Sequence, residues 1–200
     1  MRPLFIMLLS SCLLLISCKG NKKTTESETA DGGSNATTSV ETTNAAPDQD
    51  AMNKKMEELK KLSPLTIDQL KALLPDELNG IKRSNFSANT AMGYAIGEAE
   101  YQKDDTTKLN LVIYDCAGDA GSVMYYSTYW TRMNMQSETS DGYVKTIDLK
   151  GDKAVESYTI SGNQRSLTYS GADRLLVVIT GNNIGRDDLI SAAKSLDLKI

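Results

Sequence analysis

The sequence predicts an α+β fold, with a largely antiparallel sheet of about seven strands covered by about three helices. Segments in which apolar and polar residues alternate are joined by short turns rich in Gly, Asn and Asp, and such turns connect antiparallel neighbours. Segments with apolar residues at helical spacing stand before, between and after two groups of these strands. The predicted order of elements is therefore α-βββ-α-ββββ-α.

Two helical segments open the folded part, on either side of a proline. The first, Asp50 to Leu62, is highly charged and is expected to pack only in part. Its apolar residues recur at helical spacing: Met52, Met56 and Leu59. Thr66 is placed to cap a second helix over residues 67–74, with Gln69 at the capping-box position. Pro75 ends that helix, because proline cannot continue the hydrogen-bond ladder.

Two groups of strands follow, separated by a helix. The first group comprises residues 81–86, 93–101 and 109–114, and the polar segment 103–107 is predicted to be a hairpin loop. The second group comprises residues 143–149, 154–160, 165–169 and 174–180, joined by turns that contain Gly, Asn or Asp.

The helix between the groups is predicted over residues 122–135, after a turn that Gly118 and Gly121 bracket. Its apolar face consists of Val123, Tyr126, Trp130 and Met133. Residues 137–142 are turn-like. A last helix begins near Asn183 and Asp187 and buries Leu189, Ala192, Ala193 and Leu196.

Composition divides the chain into three parts. Residues 1–17 have the positive start, short apolar run and small final residue of an export signal. The apolar run is roughly a dozen residues, too short to span a bilayer core of about 30 Å. Residues 18–50 carry almost no large apolar side chains, which predicts a disordered tether. Residues 51–200 are long enough for a single domain with its own core.

The segment Leu15-Ile16-Ser17-Cys18 resembles the lipobox of bacterial lipoproteins. The resemblance implies that Cys18 carries a diacylglycerol on its sulfur and becomes the N-terminus after cleavage. Two or three acyl chains hold a soluble domain on a membrane, where one chain gives only marginal binding. Lys19 follows the cysteine, and by the family's sorting rule this implies the outer membrane, facing the periplasm. An ordinary secretory signal or an uncleaved anchor is the alternative.

The folded part is similar to a set of uncharacterised exported bacterial domains. The similarity rests on Leu73-Leu74-Pro75, Gly80-Ile81-Lys82-Arg83, Ala99-Glu100-Tyr101, Ile113-Tyr114-Asp115-Cys116-Ala117-Gly118, Gly142-Tyr143 and the closing helix. The order of elements distantly resembles small sheet-and-helix modules of the PsbP and Mog1 kind. That resemblance implies binding rather than catalysis.

Missing residue types exclude several kinds of enzyme. The chain contains no histidine, which excludes His-dependent triads and metal sites built on imidazole. Of its three cysteines, Cys12 leaves with the signal and Cys18 is lipidated, so Cys116 has no partner for a disulfide within the mature chain. A buried, unreactive Cys116 is favoured over a reactive thiol, because no cation stands beside it in sequence.

Acidic residues suggest no catalytic pair. Asp115 and Asp119 lie near two glycines, which favours a turn with acidic residues at the start of a helix. The alternative is part of a calcium site, but the segment lacks the spacing of known calcium-binding loops. Asp104-Asp105 and Asp187-Asp188 are adjacent pairs, which suit loop solvation and a helix N-terminus better than acid/base chemistry. No metal and no cofactor is predicted.

Two features suggest surface functions. Four aromatic residues fall within six positions: Tyr125, Tyr126, Tyr129 and Trp130. One helical stripe cannot bury all four, so the choice is between core packing and a binding surface. Separately, Asp105-Thr106-Thr107 resembles an O-glycosylation sequon of some Gram-negative groups, with Thr106 as the acceptor.

We therefore expect a membrane-anchored interaction module of the cell envelope, without catalysis, whose partner is an envelope protein. Nucleic acid is not expected as a partner, because acidic residues outnumber basic ones. The alternatives are a hydrolase of envelope glycans that uses carboxylates alone, and a carrier of an apolar ligand.

Overall fold

Nine strands form one antiparallel sheet in residues 48–200, the part of the chain that this computed structural model describes. The predicted signal peptide, the lipidation site Cys18 and nearly all of the predicted tether lie outside the described residues. The strands are β1 (Glu77–Leu78), β2 (Ile81–Ala91), β3 (Tyr94–Gln102), β4 (Lys108–Asp115), β5 (Gln136–Thr139), β6 (Gly142–Leu149), β7 (Asp152–Thr159), β8 (Gln164–Gly171) and β9 (Leu175–Asn182). Their order across the sheet is β1-β2-β3-β4-β9-β8-β7-β6-β5, so β4 and β9 join the two groups at the centre.

Four helices accompany the sheet in these residues: α1 (Gln49–Lys60), α2 (Ile67–Ala72), α3 (Gly118–Arg132) and α4 (Arg186–Ser195). The carboxylate of Asp48 caps α1 by accepting the N–H groups of Asp50 and Ala51. The predicted capping box at α2 is confirmed: the Thr66 hydroxyl accepts the Gln69 N–H, and the Gln69 side chain accepts the Thr66 N–H.

One side of the sheet, here called the inner face, packs against α2 and α4. Alternate residues of the central strands point to this face, including Leu111 on β4 and Val177 on β9. They join the apolar residues of α2 and α4 in one buried cluster of 24 residues. Because a fully buried Leu or Val side chain contributes about 1.5–3 kcal/mol, this cluster supplies most of the apolar stabilisation.

The opposite side, the outer face, is covered only in part. α3 lies against it, and α1 packs on α3. The buried cluster here has five members: Met52, Leu59, Cys116, Tyr125 and Leu176. Elsewhere the outer face is polar, with Glu98, Glu100 and Asn110 exposed on β3 and β4.

The structure confirms the predicted α+β class and antiparallel sheet, but the predicted counts were too low. β1 is a two-residue strand that pairs with the start of β2. Residues 137–142 were predicted as a turn, yet Gln136–Thr139 pair with β6 and the turn is confined to Ser140 and Asp141. α3 also begins at Gly118, four residues before the predicted start, and ends at Arg132.

Candidate interaction surface

The turn between β2 and β3 contains an exposed methionine and lies against the start of α3. Met92 and Gly93 form a two-residue turn with φ of 55° and 80°, which is the type I′ geometry that matches the twist of a hairpin. A Cβ atom at Gly93 would lie 3.1 Å from the Cβ of Ala120, so the tip rests directly on the first turn of α3. The absence of a side chain at Gly93 permits this close approach.

Four apolar side chains on the two elements that meet here are exposed. Met92 is 93% exposed, Val123 59%, Tyr126 46% and Tyr94 37%. Val123 lies three residues after Ala120 on α3 and Tyr126 three residues after Val123, so each is a neighbour of the one before it on the helix surface. We call these four residues the α3 ridge. Scattered exposed apolar residues are common, but a group contributed by two elements at one contact is typical of a binding surface.

The predicted aromatic set is divided by the structure. Tyr125 is buried in the outer-face cluster, and its hydroxyl accepts a hydrogen bond from Arg132 at 3.0 Å, so it belongs to the core. Tyr126 lies on the α3 ridge. Tyr129 and Trp130 lie on α3, and their side chains are outside the described part of the structure.

Met92 and Tyr94 were not predicted as site residues. Gly93 was predicted at the start of a strand, and no role was predicted for the methionine before it. The available signal was an Xaa-Gly pair between two alternating segments, which marks a two-residue hairpin turn. That the tip would rest on α3 depends on a contact between distant segments.

Asp115 forms a buried ion pair rather than a cation site. Its two carboxylate oxygens accept hydrogen bonds from Nε and Nη2 of Arg174 at 2.7 and 2.6 Å. The backbone N–H groups of Leu65 and Ala117 donate to the same carboxylate at 2.7 and 3.2 Å. Four donors therefore satisfy this carboxylate. Because Leu65 lies between α1 and α2, its hydrogen bond ties the α1–α2 connection to the end of β4. Asp119 is exposed in the first turn of α3. Within residues 48–200 no three metal-ligating side chains cluster.

A second buried carboxylate lies on the inner face of β7. Glu156 accepts hydrogen bonds from Nε and Nη2 of Arg186, at 2.8 to 3.0 Å, and from the Tyr143 hydroxyl at 2.6 Å. The Lys145 ammonium lies 3.9 Å away. Burial would raise the pKa of Glu156, but the hydrogen bonds from Arg186 and Tyr143 outweigh it and lower the pKa.

Cations and aromatic rings surround this carboxylate. The Arg165 guanidinium lies 3.9 Å from the ring centre of Tyr158 and donates to the Tyr143 hydroxyl at 3.1 Å. Lys145 lies 4.7 Å from the ring centre of Tyr143. Because every polar group named here has a partner, the cluster joins β6, β7, β8 and α4 into one network.

A groove of about 840 Å³ opens at the end of the sheet where β9 begins. Charged side chains of both signs line it, among them Arg132, Lys150, Asp152, Asp173, Asp197 and Lys199. Its three acids are exposed. Apolar side chains, including Leu149, Leu196 and Leu198, also line it, so its walls are mixed in character.

The remaining predicted positions lie in ordinary structural settings. Cys116 is buried, as predicted, and burial raises the pKa of its thiol to about 12, with a further contribution from the Asp115 charge. Thr106 lies in the exposed β3–β4 loop. The Asp104 carboxylate accepts hydrogen bonds from the Thr106 N–H and hydroxyl and from the Thr107 N–H, which lowers the pKa of Asp104 to about 2. Asp187 and Asp188 stand in the first turn of α4. None of the helices in the described range is long and apolar enough to cross a membrane.

No protein-family model, curated protein or solved structure matches this chain. The resemblance to PsbP and Mog1 modules gains no support, and the nine strands exceed the predicted number.

Proposed function

We propose that this protein is a lipid-anchored envelope lipoprotein whose folded domain binds a partner protein through the α3 ridge, without catalysis. The observation that carries the proposal is the exposure of Met92, Tyr94, Val123 and Tyr126 on the hairpin tip and on α3, two elements that meet at Gly93 and Ala120. Methionine and aromatic side chains are enriched at protein interfaces, where they bury a large area at each contact. The partner therefore presents an apolar surface of its own.

The proposed anchor is supported by the sequence. The segment ending at Cys18 has the lipobox pattern, and the following residues are poor in apolar side chains up to the start of α1. A flexible chain of that length reaches roughly 30 Å, which allows the domain to meet a partner in or near the membrane. Replacing Cys18 by Ser is expected to release the protein from membranes on fractionation. Retention of the variant would contradict the anchor.

The buried carboxylates favour binding over hydrolysis. A glycan hydrolase needs an acid with a raised pKa beside a second carboxylate. Asp115 and Glu156 are the buried carboxylates of residues 48–200, and each is held by an arginine, with the pKa of Glu156 lowered. This arrangement suits stable packing better than proton transfer.

The ridge is tested with a charge placed in the proposed contact. Val123→Asp introduces a carboxylate that must be desolvated on binding, whereas Ser191→Asp places the same group on the exposed side of α4. Both full-length variants are crosslinked in their native envelope and recovered by affinity. We expect loss of the co-recovered partner protein for Val123→Asp and retention for Ser191→Asp. Equal recovery from the two variants would overturn the ridge as the binding surface.

A further inference from the structure

The two outer strands of the sheet differ in how well they are protected against pairing. β5 has four residues and includes Glu138. At the other end, β1 pairs only with Ile81 and Lys82 of the 11-residue strand β2, and the Asp76 carbonyl also accepts the Arg83 N–H. From Asn85 to Ala91, no described strand pairs with the outer side of β2.

This free edge lacks the usual devices that block strand pairing. Natural edge strands carry lysine, proline or bulges, or are very short. The seven residues Asn85 to Ala91 contain no charge, glycine or proline. A register shift between Arg83 and Asn85 lies before this stretch, and the stretch itself pairs regularly with β3.

The hairpin turn fixes which backbone groups point outward. A two-residue turn closes on a hydrogen-bonded pair, here Ala91 and Tyr94, and hydrogen-bonded pairs then alternate along the ladder. The N–H and C=O groups of Phe86, Ala88 and Thr90 therefore point away from β3. They form an evenly spaced row that another antiparallel strand can bind.

We propose that this edge pairs with β2 of a second copy of the chain, antiparallel, about a two-fold axis through Ala88. The axis lies at the middle of the uncharged stretch, so Asn85 is placed opposite Ala91 of the other copy and Phe86 opposite Thr90. No charged residue faces another across this interface. The exposed Phe86 ring gains a β-branched neighbour, and symmetry provides this favourable cross-strand pair twice.

The symmetry makes a specific prediction for disulfide crosslinks. Directly opposite residues of a hydrogen-bonded antiparallel pair have Cα atoms about 5.5 Å apart, which a disulfide can bridge. Two copies of Ala88→Cys meet this condition. Two copies of Thr90→Cys lie four residues apart along the strands, about 13 Å, and do not. Cys116 is buried and is not expected to contribute background.

The experiment uses the full-length chain in its own membrane, treated with a mild oxidant and analysed on a non-reducing gel. We expect a band of twice the monomer mass for Ala88→Cys and for Thr90→Cys combined with Phe86→Cys. Thr90→Cys alone and Glu138→Cys, on the opposite edge, are expected to remain monomeric. No dimer from Ala88→Cys, equal yields from Ala88→Cys and Glu138→Cys, or a product of Ala88→Cys with another protein would overturn pairing with a second copy.

A second pair of variants tests the hydrogen bonds themselves. Ala88→Pro removes an N–H that points outward from β2, and Glu138→Pro removes an outward N–H of β5, since Ser137 and Thr139 face β6. In sedimentation of the detergent-solubilised full chain, we expect Ala88→Pro to be monomeric and Glu138→Pro to remain dimeric. A dimeric Ala88→Pro would overturn the proposal. Val123→Asp is expected to leave the dimer intact, so a failure of the dimer proposal can be distinguished from a failure of the proposed α3 ridge.

Discussion

The two faces of the sheet differ in how completely helices cover their apolar side chains. On the inner face, α2 and α4 seal a buried cluster of 24 residues, whereas the outer-face cluster beneath α1 and α3 has five. On the inner face, α4 buries Leu189, Ala192 and Ala193 in that cluster, whereas on the outer face α3 leaves Val123 and Tyr126 exposed. Stability is therefore concentrated on one face, and the other retains apolar side chains that can bind a partner.

The largest predicted effect concerns Asp115, which ties the α1–α2 connection to the end of β4. Replacing it by Asn leaves Arg174, whose side chain is mostly buried, without a counter-charge, and breaking a buried ion pair in this way costs about 3–5 kcal/mol. Asp148→Asn is the control, because its ion pair with Lys153 is exposed and is worth about 0–1 kcal/mol. Chemical denaturation measures both. Similar losses of unfolding free energy from the two variants would contradict a stabilising buried ion pair between Asp115 and Arg174.

The next prediction separates the faces directly. Leu111→Ala opens a cavity in the inner cluster and is expected to lower the free energy of unfolding by about 2–5 kcal/mol. Leu59→Ala removes the same side chain from α1, and we expect a smaller loss because α1 packs on α3 rather than on the sheet. Denaturation curves and amide hydrogen exchange distinguish local release of α1 from global unfolding. An equal global loss would show that both clusters belong to one cooperative unit.

A smaller effect depends on pH. The pKa of Glu156 is lowered in the folded state, so its contribution to stability is present above the unfolded pKa of about 4.3 and is lost as pH falls through the folded pKa. Glu156→Gln is expected to cost about 1–3 kcal/mol at neutral pH, because Arg186 loses its charged partner. The difference between wild type and variant should shrink on acidification in denaturation curves. A difference that stays constant from neutral to acid pH would contradict the assigned ion pair.

The smallest expected effect is on stability at the α3 ridge. Val123 is exposed, so Val123→Asp should change the free energy of unfolding by no more than about 0.5 kcal/mol. A thermal melt compared with Ser191→Asp checks this. A large loss would mean that Val123 supports the fold and that any loss of partner binding is indirect.

The elements that were predicted correctly have local sequence signals. The capping residues Thr66 and Gln69 predicted α2, and the alternation of Leu109, Leu111 and Ile113 predicted β4. β5 was missed because its residues, Gln-Ser-Glu-Thr, are polar throughout and show no alternation. β1 was missed although Asn79-Gly80 is a strong hairpin signal; the two-residue strand before it is too short for a pattern.

The candidate site was harder to predict, because it depends on contacts between distant segments. Asp115 and Arg174 are 59 residues apart, and Glu156 and Arg186 are 30 apart, so neither pair is visible in local spacing. The aromatic cluster on α3 was recognised, but the predicted apolar face was wrong, because Val123 and Tyr126 are exposed and Tyr125 faces inward. Met92 belongs to the proposed ridge only because the hairpin tip meets Ala120.

Site-specific photo-crosslinking in the native envelope tests directly whether the α3 ridge binds a defined partner. A photoreactive residue is placed at Val123 or Met92 on the α3 ridge, and at Ser191 on the exposed side of α4 as the control. We expect one adduct of the same mass from both ridge positions and none from α4. No adduct from the ridge, or the same adduct from all three positions, would contradict the claim that the ridge binds a defined partner.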